Sequence, residues 1–202
     1  MPKATPPLAN TVQKSTLIGV AAFCLFLGFI SGVVFSVYRS TGSAPVAMPT
    51  AAQPDIGDRT RELDHLVKET AQNPGNVTAW TQLGNLYFDT DAPAKAIWAY
   101  RKSLELDPGN PDVWTDLGVM YRRSNQPQEA VKAFDEAIRI DPQHEVSRFN
   151  KGIVQIHDLK NPAAGIKAWE ELLAINPLAM APSGKSVDEL VAIHKKALQN
   201  AK

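Results

Sequence analysis

The residues that could carry out chemistry are few and widely spaced. The four histidines are His65, His144, His157 and His194. His157 stands next to Asp158, a pair of residue types that could bind a metal ion or exchange protons. Adjacent residues of a helix point in different directions, however, so this pair does not converge on one site. We therefore expect neither an acid–base centre nor a metal site.

Known catalytic signatures are also missing from the sequence. It contains no H-E-x-x-H or C-x-x-C motif, and no Gly-rich phosphate loop follows a strand pattern. The only cysteine, Cys24, lies inside the longest apolar run and has no intramolecular disulfide partner. The sequence thus predicts a protein that is not an enzyme and that needs no cofactor.

The charges are distributed unevenly along the chain. All 21 acidic residues lie at or after Asp55, and residues 55–202 carry 18 basic residues, a net charge of −3. Contacts to phosphates need clustered lysine and arginine, so nucleic acid is not an expected partner.

The apolar run extends from Leu17 to Tyr38 and has no charged residue over 22 positions. As a helix it would be roughly 33 Å long, which matches a hydrocarbon core of about 30 Å. A cleaved signal peptide is the competing interpretation, but its apolar region is usually only about 7 to 15 residues long. We predict an uncleaved transmembrane helix over residues 16–38.

The charges that flank this helix predict its orientation. Lys3 and Lys14 precede it, and Arg39 follows it. The positive-inside rule then places residues 1–15 in the cytoplasm and the rest of the chain outside it, in the periplasm of a bacterium. Within the helix, Gly28 and Gly32 form a G-x-x-x-G spacing, which permits close helix approach and a homodimer. An ordinary membrane helix with scattered small residues remains the alternative.

Residues 39–57 are rich in Pro, Ala, Ser and Gly and lack periodicity, so they are predicted to form a flexible linker. Apolar periodicity predicts a capping helix over residues 58–74. A second capping helix is predicted over residues 185–201, with Ser186 as its N-cap.

A sequence repeat lies between these two helices. Its first copy is Trp80, Leu83, Gly84, Tyr87, Ala96, Tyr100 and Pro108, and its second is Trp114, Leu117, Gly118, Tyr121, Ala130, Phe134 and Pro142. This pattern, with its period of about 34 residues, resembles the tetratricopeptide repeat family. Small residues on facing helices permit close approach, and stacked neighbours complete the core. We predict an all-α solenoid of helix pairs with units over 75–110, 111–144 and a degenerate 145–178.

The frame of the third unit is ambiguous. The regular frame, which continues the spacing from Gly84 to Gly118, keeps Gly152 at the glycine position but puts Arg148 and Lys151 where apolar residues should pack. The extended frame, one residue longer, places apolar residues, including Phe149 and Ile153, at most of the core positions. Because burying an unpaired charge costs several kcal/mol, we prefer the extended frame, with the extra residue in the loop near 141–147.

The resemblance implies a concave groove, lined by the first helix of each pair, that binds a peptide or a partner protein. The groove positions carried over from the family are Thr81, Asn85, Phe88, Thr115, Val119, Arg122, Asn150 and Val154. The family's clamp for acidic C-terminal peptides needs Lys and Asn or Arg at fixed positions, from which Thr81, Asp116 and Ser147 depart. The same residues could also form only the solvated face of the solenoid.

The sequence therefore predicts a single-pass membrane protein that presents a protein-interaction scaffold outside the cytoplasm. This architecture is similar to that of bacterial assembly factors, including those of cytochrome c maturation, whose repeats hold an apocytochrome segment. The alternative is a structural organiser of an envelope complex, such as pilus, secretion or cytochrome machinery, that dimerises through its transmembrane helix.

Overall fold

The computed structural model describes residues 56–200, and these residues form helices without any strand. The helices are α1 (Ile56–Gln72), α2 (Val77–Asp89), α3 (Pro93–Leu106), α4 (Pro111–Arg123), α5 (Pro127–Ile140), α6 (Glu145–Ile153, continued by a π-helical segment Val154–Asp158), α7 (Pro162–Ile175) and α8 (Val187–Asn200). The all-α prediction is confirmed for this part of the chain.

The predicted cytoplasmic tail and transmembrane helix lie outside the described residues, as do Gly28, Gly32 and most of the predicted linker. The linker was expected to end at residue 57, whereas α1 already begins at Ile56. Among residues 56–200, no helix combines the length and the apolar character that crossing a membrane requires.

The three central helix pairs are α2 with α3, α4 with α5, and α6 with α7. In each pair a glycine of the first helix faces an aromatic ring of the second: Gly84 faces Tyr100, Gly118 faces Phe134, and Gly152 faces Trp169. A Cβ atom at Gly84 or Gly118 would lie only 2.5 Å from the facing ring. The pairs are therefore packed too closely for any side chain at these positions.

The pairs stack with a consistent curvature. Helix α2 packs against α4 and α4 against α6, whereas the described residues show no comparable packing between α3 and α5 or between α5 and α7. Helices that approach one another more closely lie on the inside of a curved stack. The inner surface is therefore formed by α2, α4 and α6, and the outer surface by α3, α5 and α7.

Helices α1 and α8 pack on the two ends of the repeat core. Leu66 of α1 is buried in the cluster that contains Trp80. Val187 and Val191 of α8 are buried in the cluster that contains Trp169. Ser186 caps α8, since its Oγ accepts a hydrogen bond of 3.1 Å from the Glu189 N–H.

The third unit changes frame inside its first helix. The step from the start of α4 to the start of α6 follows the regular frame, whereas the step from α5 to α7 is one residue longer. The extra residue lies in the π-helical segment, where the Leu159 N–H donates to the Val154 carbonyl one wide turn earlier, at 3.0 Å. This corrects the predicted insertion near residues 141–147. The regular frame is therefore correct for α6 and the extended frame for α7.

The two charges that argued against the regular frame, those of Arg148 and Lys151, have different surroundings. Lys151 is half-buried and pairs with Asp135 of α5 at 2.6 Å. Arg148 is only 8% exposed, and its Nη1 donates to the His144 carbonyl at 3.5 Å. The expected penalty is thus avoided at Lys151, because the neighbouring helix supplies a counter-charge that the sequence pattern does not reveal.

Candidate partner-binding groove

Asn85 lies on the inner surface near the middle of α2. Its side chain is exposed, and its Oδ1 accepts a hydrogen bond of 2.8 Å from the Tyr100 hydroxyl of the paired helix α3. Since the oxygen is used within the repeat, the two N–H donors of the amide are the groups that can reach a partner.

Phe88 forms an apolar contact surface one turn further along α2. Its ring is half-buried, and the Arg123 guanidinium of α4 lies 4.6 Å from the ring centroid. The same guanidinium lies 3.4 Å from both the Phe88 carbonyl and an Asp91 carboxylate oxygen. This cation–π contact joins the ends of two inner helices. Val119 of α4 is also half-buried and packs against the core behind it.

Arg122 joins α4 to the π-helical segment through an ion pair of 2.5 Å with Asp158. Both side chains retain contact with solvent, with exposures of 42% and 28%. Ion pairs of this kind contribute only about 0 to 1 kcal/mol. A partner carboxylate or carbonyl can therefore replace Asp158 at low cost.

The two predicted threonines use their hydroxyls inside the repeats. The Thr81 Oγ1 lies 2.6 Å from the Ser103 Oγ, and the Thr115 Oγ1 lies 2.6 Å from the Ser147 Oγ. Thr81 is half-buried, whereas Thr115 is buried. Thr115 is thus not a groove contact, which corrects its assignment.

Val154 is the second correction among the groove residues. Its side chain is fully buried beside Ala130 and Phe134. The prediction used the extended frame, but the change of frame begins only at Val154 itself. Val154 therefore occupies the place that the fully buried Met120 takes in the preceding repeat.

The third inner helix contributes residues that the sequence analysis did not assign to the groove. In the regular frame, which α6 adopts, Phe149 and Ile153 correspond to Thr115 and Val119, and both are half-buried. The predicted residue Asn150 is half-buried as well. The signal that could have found this frame was Gly152, which follows Gly118 at the same interval as Gly118 follows Gly84.

An unpaired carboxylate occupies the centre of the inner surface. Asp116 of α4 is half-buried and forms no ion pair among the described residues. Burial raises the pKa of its carboxyl to about 6, and the nearby charges of Asp112 and Asp89 act in the same direction. Burial also raises the pKa of the Tyr100 hydroxyl, with Asp116 and Asp89 adding to the effect. This part of the groove disfavours additional negative charge.

A chain of polar contacts connects α4 to the start of α6. The His144 Nε2 lies 3.0 Å from an Asp112 oxygen, and the His144 Nδ1 lies 2.8 Å from the Ser147 Oγ. The order Asp–His–Ser is that of a hydrolytic triad, but Ser147 is fully buried and no substrate can reach it. Because the His144 Nδ1 also accepts from the Ser147 N–H at 3.3 Å, the arrangement is a helix cap.

His157 and His194 are distant in the sequence but close in the fold. Their ring centroids lie 5.9 Å apart in an edge-to-face arrangement, and His194 also contacts Trp169. Burial and the nearby His157 lower the pKa of His194. Among residues 56–200, no group of three or more metal-ligating side chains is found.

Comparisons with known proteins identify the repeats. Two sequence models described as tetratricopeptide repeat match residues 77–110 and 99–132. No match is found among curated protein sequences.

Solved structures share the fold. A crystal structure of MamA is 25% identical to this chain with a TM-score of 0.56, covering 61% of this chain and 75% of that chain. A second crystal structure of MamA is 23% identical with a TM-score of 0.59, covering 69% and 80%. The first TPR domain of Spaghetti (RPAP3), bound to the HSP90 peptide SRMEEVD, is 20% identical with a TM-score of 0.54, covering 61% and 93%. Residues 77–132 therefore match tetratricopeptide repeat sequences, and the described part of the chain shares its helix-pair fold with these solved structures.

Proposed function

We propose that the chain is a membrane-anchored assembly scaffold that holds an extended segment of a partner protein in the groove formed by α2, α4 and α6. The observation that carries this proposal is the mixed character of the inner surface. It combines the amide donors of Asn85, the weakly held guanidinium of Arg122, and the half-buried apolar side chains of Phe88 and Val119. Such a surface can hydrogen-bond an extended backbone and hold its side chains.

The electrostatics of the groove define the class of segment. The solved RPAP3 domain carries the peptide SRMEEVD, which ends in an acidic sequence. In this chain Asp116 lies at the groove centre without an ion pair among the described residues, and the charges of Asp112 and Asp89 beside it outweigh the opposing effect of His144. An acidic peptide end would add repulsion there. The partner segment is therefore neutral or basic over Asp116.

The proposed location rests on the sequence of residues 1–39. Residues 16–38 anchor the chain in the inner membrane of a bacterium, with residues 1–15 in the cytoplasm and the repeats in the periplasm. An alkaline phosphatase fused after Lys202 tests this topology, because the enzyme is active only outside the cytoplasm. An active fusion supports the proposal, and an inactive but well-expressed fusion contradicts it.

A second candidate function, a structural organiser of an envelope complex, is favoured by the G-x-x-x-G spacing of Gly28 and Gly32. In this case Gly28→Ile in the full chain would abolish cross-linked dimers in membranes. Dimers that persist in this variant would contradict the role of the transmembrane helix.

The groove is tested by affinity capture from detergent-solubilised membranes with the double variant Asn85→Ala and Arg122→Ala. Removing two hydrogen-bonding groups, one of them charged, should reduce recovery of the captured partner about tenfold or more. The matched control is Gln128→Ala with Arg139→Ala, which changes exposed side chains of the same chemistry on the outer helix α5.

Circular dichroism should show equal helix content in both double variants. The SRMEEVD peptide serves as a negative probe, and we expect it not to bind. If the groove variant recovers as much partner as the control variant, the binding surface lies elsewhere. Tight binding of the acidic peptide would contradict the assigned segment class.

A further inference from the structure

The outer surface carries a cavity that the proposed function does not use. It lies between α3 and α5 and has a volume of about 500 Å³. Its floor includes Leu104, Trp114 and Leu117, and its rim includes Arg101 and Glu105 of α3 and Lys132 of α5. Its volume is in the range of cavities that take a large side chain or a small ligand.

The first repeat shows which group fits such a cavity. Trp80 is the counterpart of Trp114 in that repeat and is only 6% exposed. The Trp98 indole covers it, edge-on, with ring centroids 4.9 Å apart. At the position of Trp98, the second repeat has Lys132 instead. The cavity therefore exists because a lysine replaces a tryptophan, and an indole is the side chain that the repeat geometry accommodates there.

The same outer surface also presents an indole. Trp98 remains 49% exposed although it covers Trp80. Arg101 and Glu105 line both the Trp114 cavity and a second depression beside Trp98. These two charged residues thus form a ridge on α3, with an exposed indole on one side and an indole-sized cavity on the other.

A surface of this kind is complementary to itself under a two-fold rotation, because each residue then meets the same partner residue in both directions. With the axis at the ridge, Arg101 of one copy would face Glu105 of the second copy, and the reverse pair would form as well. Arg101 has no ion pair within 4 Å among the described residues and acts on Glu105 of its own helix only at longer range, and the one ion pair of Glu105 there is an exposed contact with Lys102. Both are therefore available for pairing across the axis.

We propose that two copies of this chain associate through their outer surfaces, with Trp98 of each copy in the Trp114 cavity of the other. The inner surfaces of both copies remain free for partner segments. The inference does not depend on the proposed groove, and the two fail independently.

The test measures the molecular mass in solution of a fragment of residues 54–202, whose described part, residues 56–200, contains all members of the three hydrophobic clusters. This fragment lacks Gly28 and Gly32, so a transmembrane contact cannot contribute. Sedimentation velocity from about 1 µM to 1 mM covers the range of weak association. We expect a monomer–dimer equilibrium for the unchanged fragment.

Lys132→Trp should fill each copy's own cavity and raise the dissociation constant at least tenfold, with an unchanged or higher thermal midpoint. Trp98→Lys should have the same effect on association. Arg101→Glu should dissociate the dimer, because it places Glu opposite Glu105, and adding Glu105→Arg should restore it. The groove variant Asn85→Ala with Arg122→Ala should remain dimeric.

Three results would overturn the proposal. The first is a fragment that stays monomeric over the whole concentration range, and the second is a dimer that survives Lys132→Trp. The third is a charge-exchanged double variant that does not recover association. If the fragment is monomeric but binds N-acetyl-tryptophanamide and Lys132→Trp abolishes that binding, the cavity takes an indole from a different protein, and the second copy is refuted as its occupant.

Discussion

The substitution Gly152→Ala distinguishes the frame seen in the structure from the frame that the apolar pattern favours. In the structure a Cβ at Gly152 would lie within 2.8 Å of three atoms of the Trp169 indole. Trp169 is 1% exposed, its Nε1 donates to the Phe149 carbonyl at 3.0 Å, and its ring stacks on Phe149. The indole therefore has no space into which it can move without losing contacts.

The expected cost follows from three contributions. Overpacking of a filled core costs about 1 to 3 kcal/mol. Displacing the indole from the Phe149 carbonyl adds roughly 0.5 to 1.5 kcal/mol, and the better helix propensity of alanine returns about 0.8 to 1 kcal/mol. The net destabilisation is about 0.5 to 3.7 kcal/mol. At about 2 to 4 °C per kcal/mol, the thermal midpoint should fall by roughly 1 to 15 °C.

Thermal unfolding followed by circular dichroism and by tryptophan fluorescence measures this effect. Gly75→Ala is the control, because nothing lies within 4 Å of a Cβ at that position, and it should shift the midpoint little. If Gly152 instead occupied a leucine site, as the extended frame requires, an added methyl group would leave the midpoint unchanged or raise it. That result would refute the packing described for the third unit.

Two further substitutions test the electrostatics and the buried charge. In the folded chain the Asp116 pKa is raised from 3.8 to about 6. Between these two pH values the folded chain binds the proton more tightly than the unfolded chain does, so the free energy of unfolding of the wild type decreases as the pH rises from 3.8 through about 6. The free energy of unfolding of Asp116→Asn, measured with urea, should equal that of the wild type near about pH 3.5 and exceed it by about 1 to 3 kcal/mol near about pH 8. A difference between the two proteins that stays constant with pH would contradict this. Arg148→Trp should stabilise the chain by about 1 kcal/mol, because it removes the buried Arg148 Nε, which has no hydrogen-bond partner. Trp80 and Trp114 hold the equivalent positions in the first two repeats, and each indole N–H there donates to a proline carbonyl in the preceding turn. A lower thermal midpoint in this variant would count against that reasoning.

The predictions from sequence were most accurate where the signal is local. Gly84 and Tyr100 recur as Gly118 and Phe134 at the same spacing because the same short glycine–ring contact forms within the first two helix pairs. Such contacts join residues that are close in the sequence, so a periodic pattern is enough to reveal them. The capping hydroxyl of Ser186 was found for the same reason, since its acceptor role depends only on the next turn of backbone.

The third unit was misjudged because two core rules conflicted. The apolar pattern favoured the extended frame throughout, whereas Gly152 alone favoured the regular frame. The chain satisfies both by placing one π-helical turn inside α6. Apolar periodicity alone does not predict the π-helical turn, because the turn is stabilised by the packing of Trp169 on α7 against Gly152 on α6. The error then carried Val154 from the core into the predicted groove.

The sequence by itself determined the helix pairs, their order and the small residues that permit close approach within a pair, because each depends on residues less than one repeat apart. Only the tertiary structure decided which polar groups remain free. The Thr115 hydroxyl is hydrogen-bonded to Ser147, and the Arg122 guanidinium forms an ion pair with Asp158. Trp98 covers Trp80, whereas no equivalent group in the described part of the chain covers Trp114. These outcomes depend on which side chains the curvature of the stack brings together, and a linear pattern contains no distances between helices.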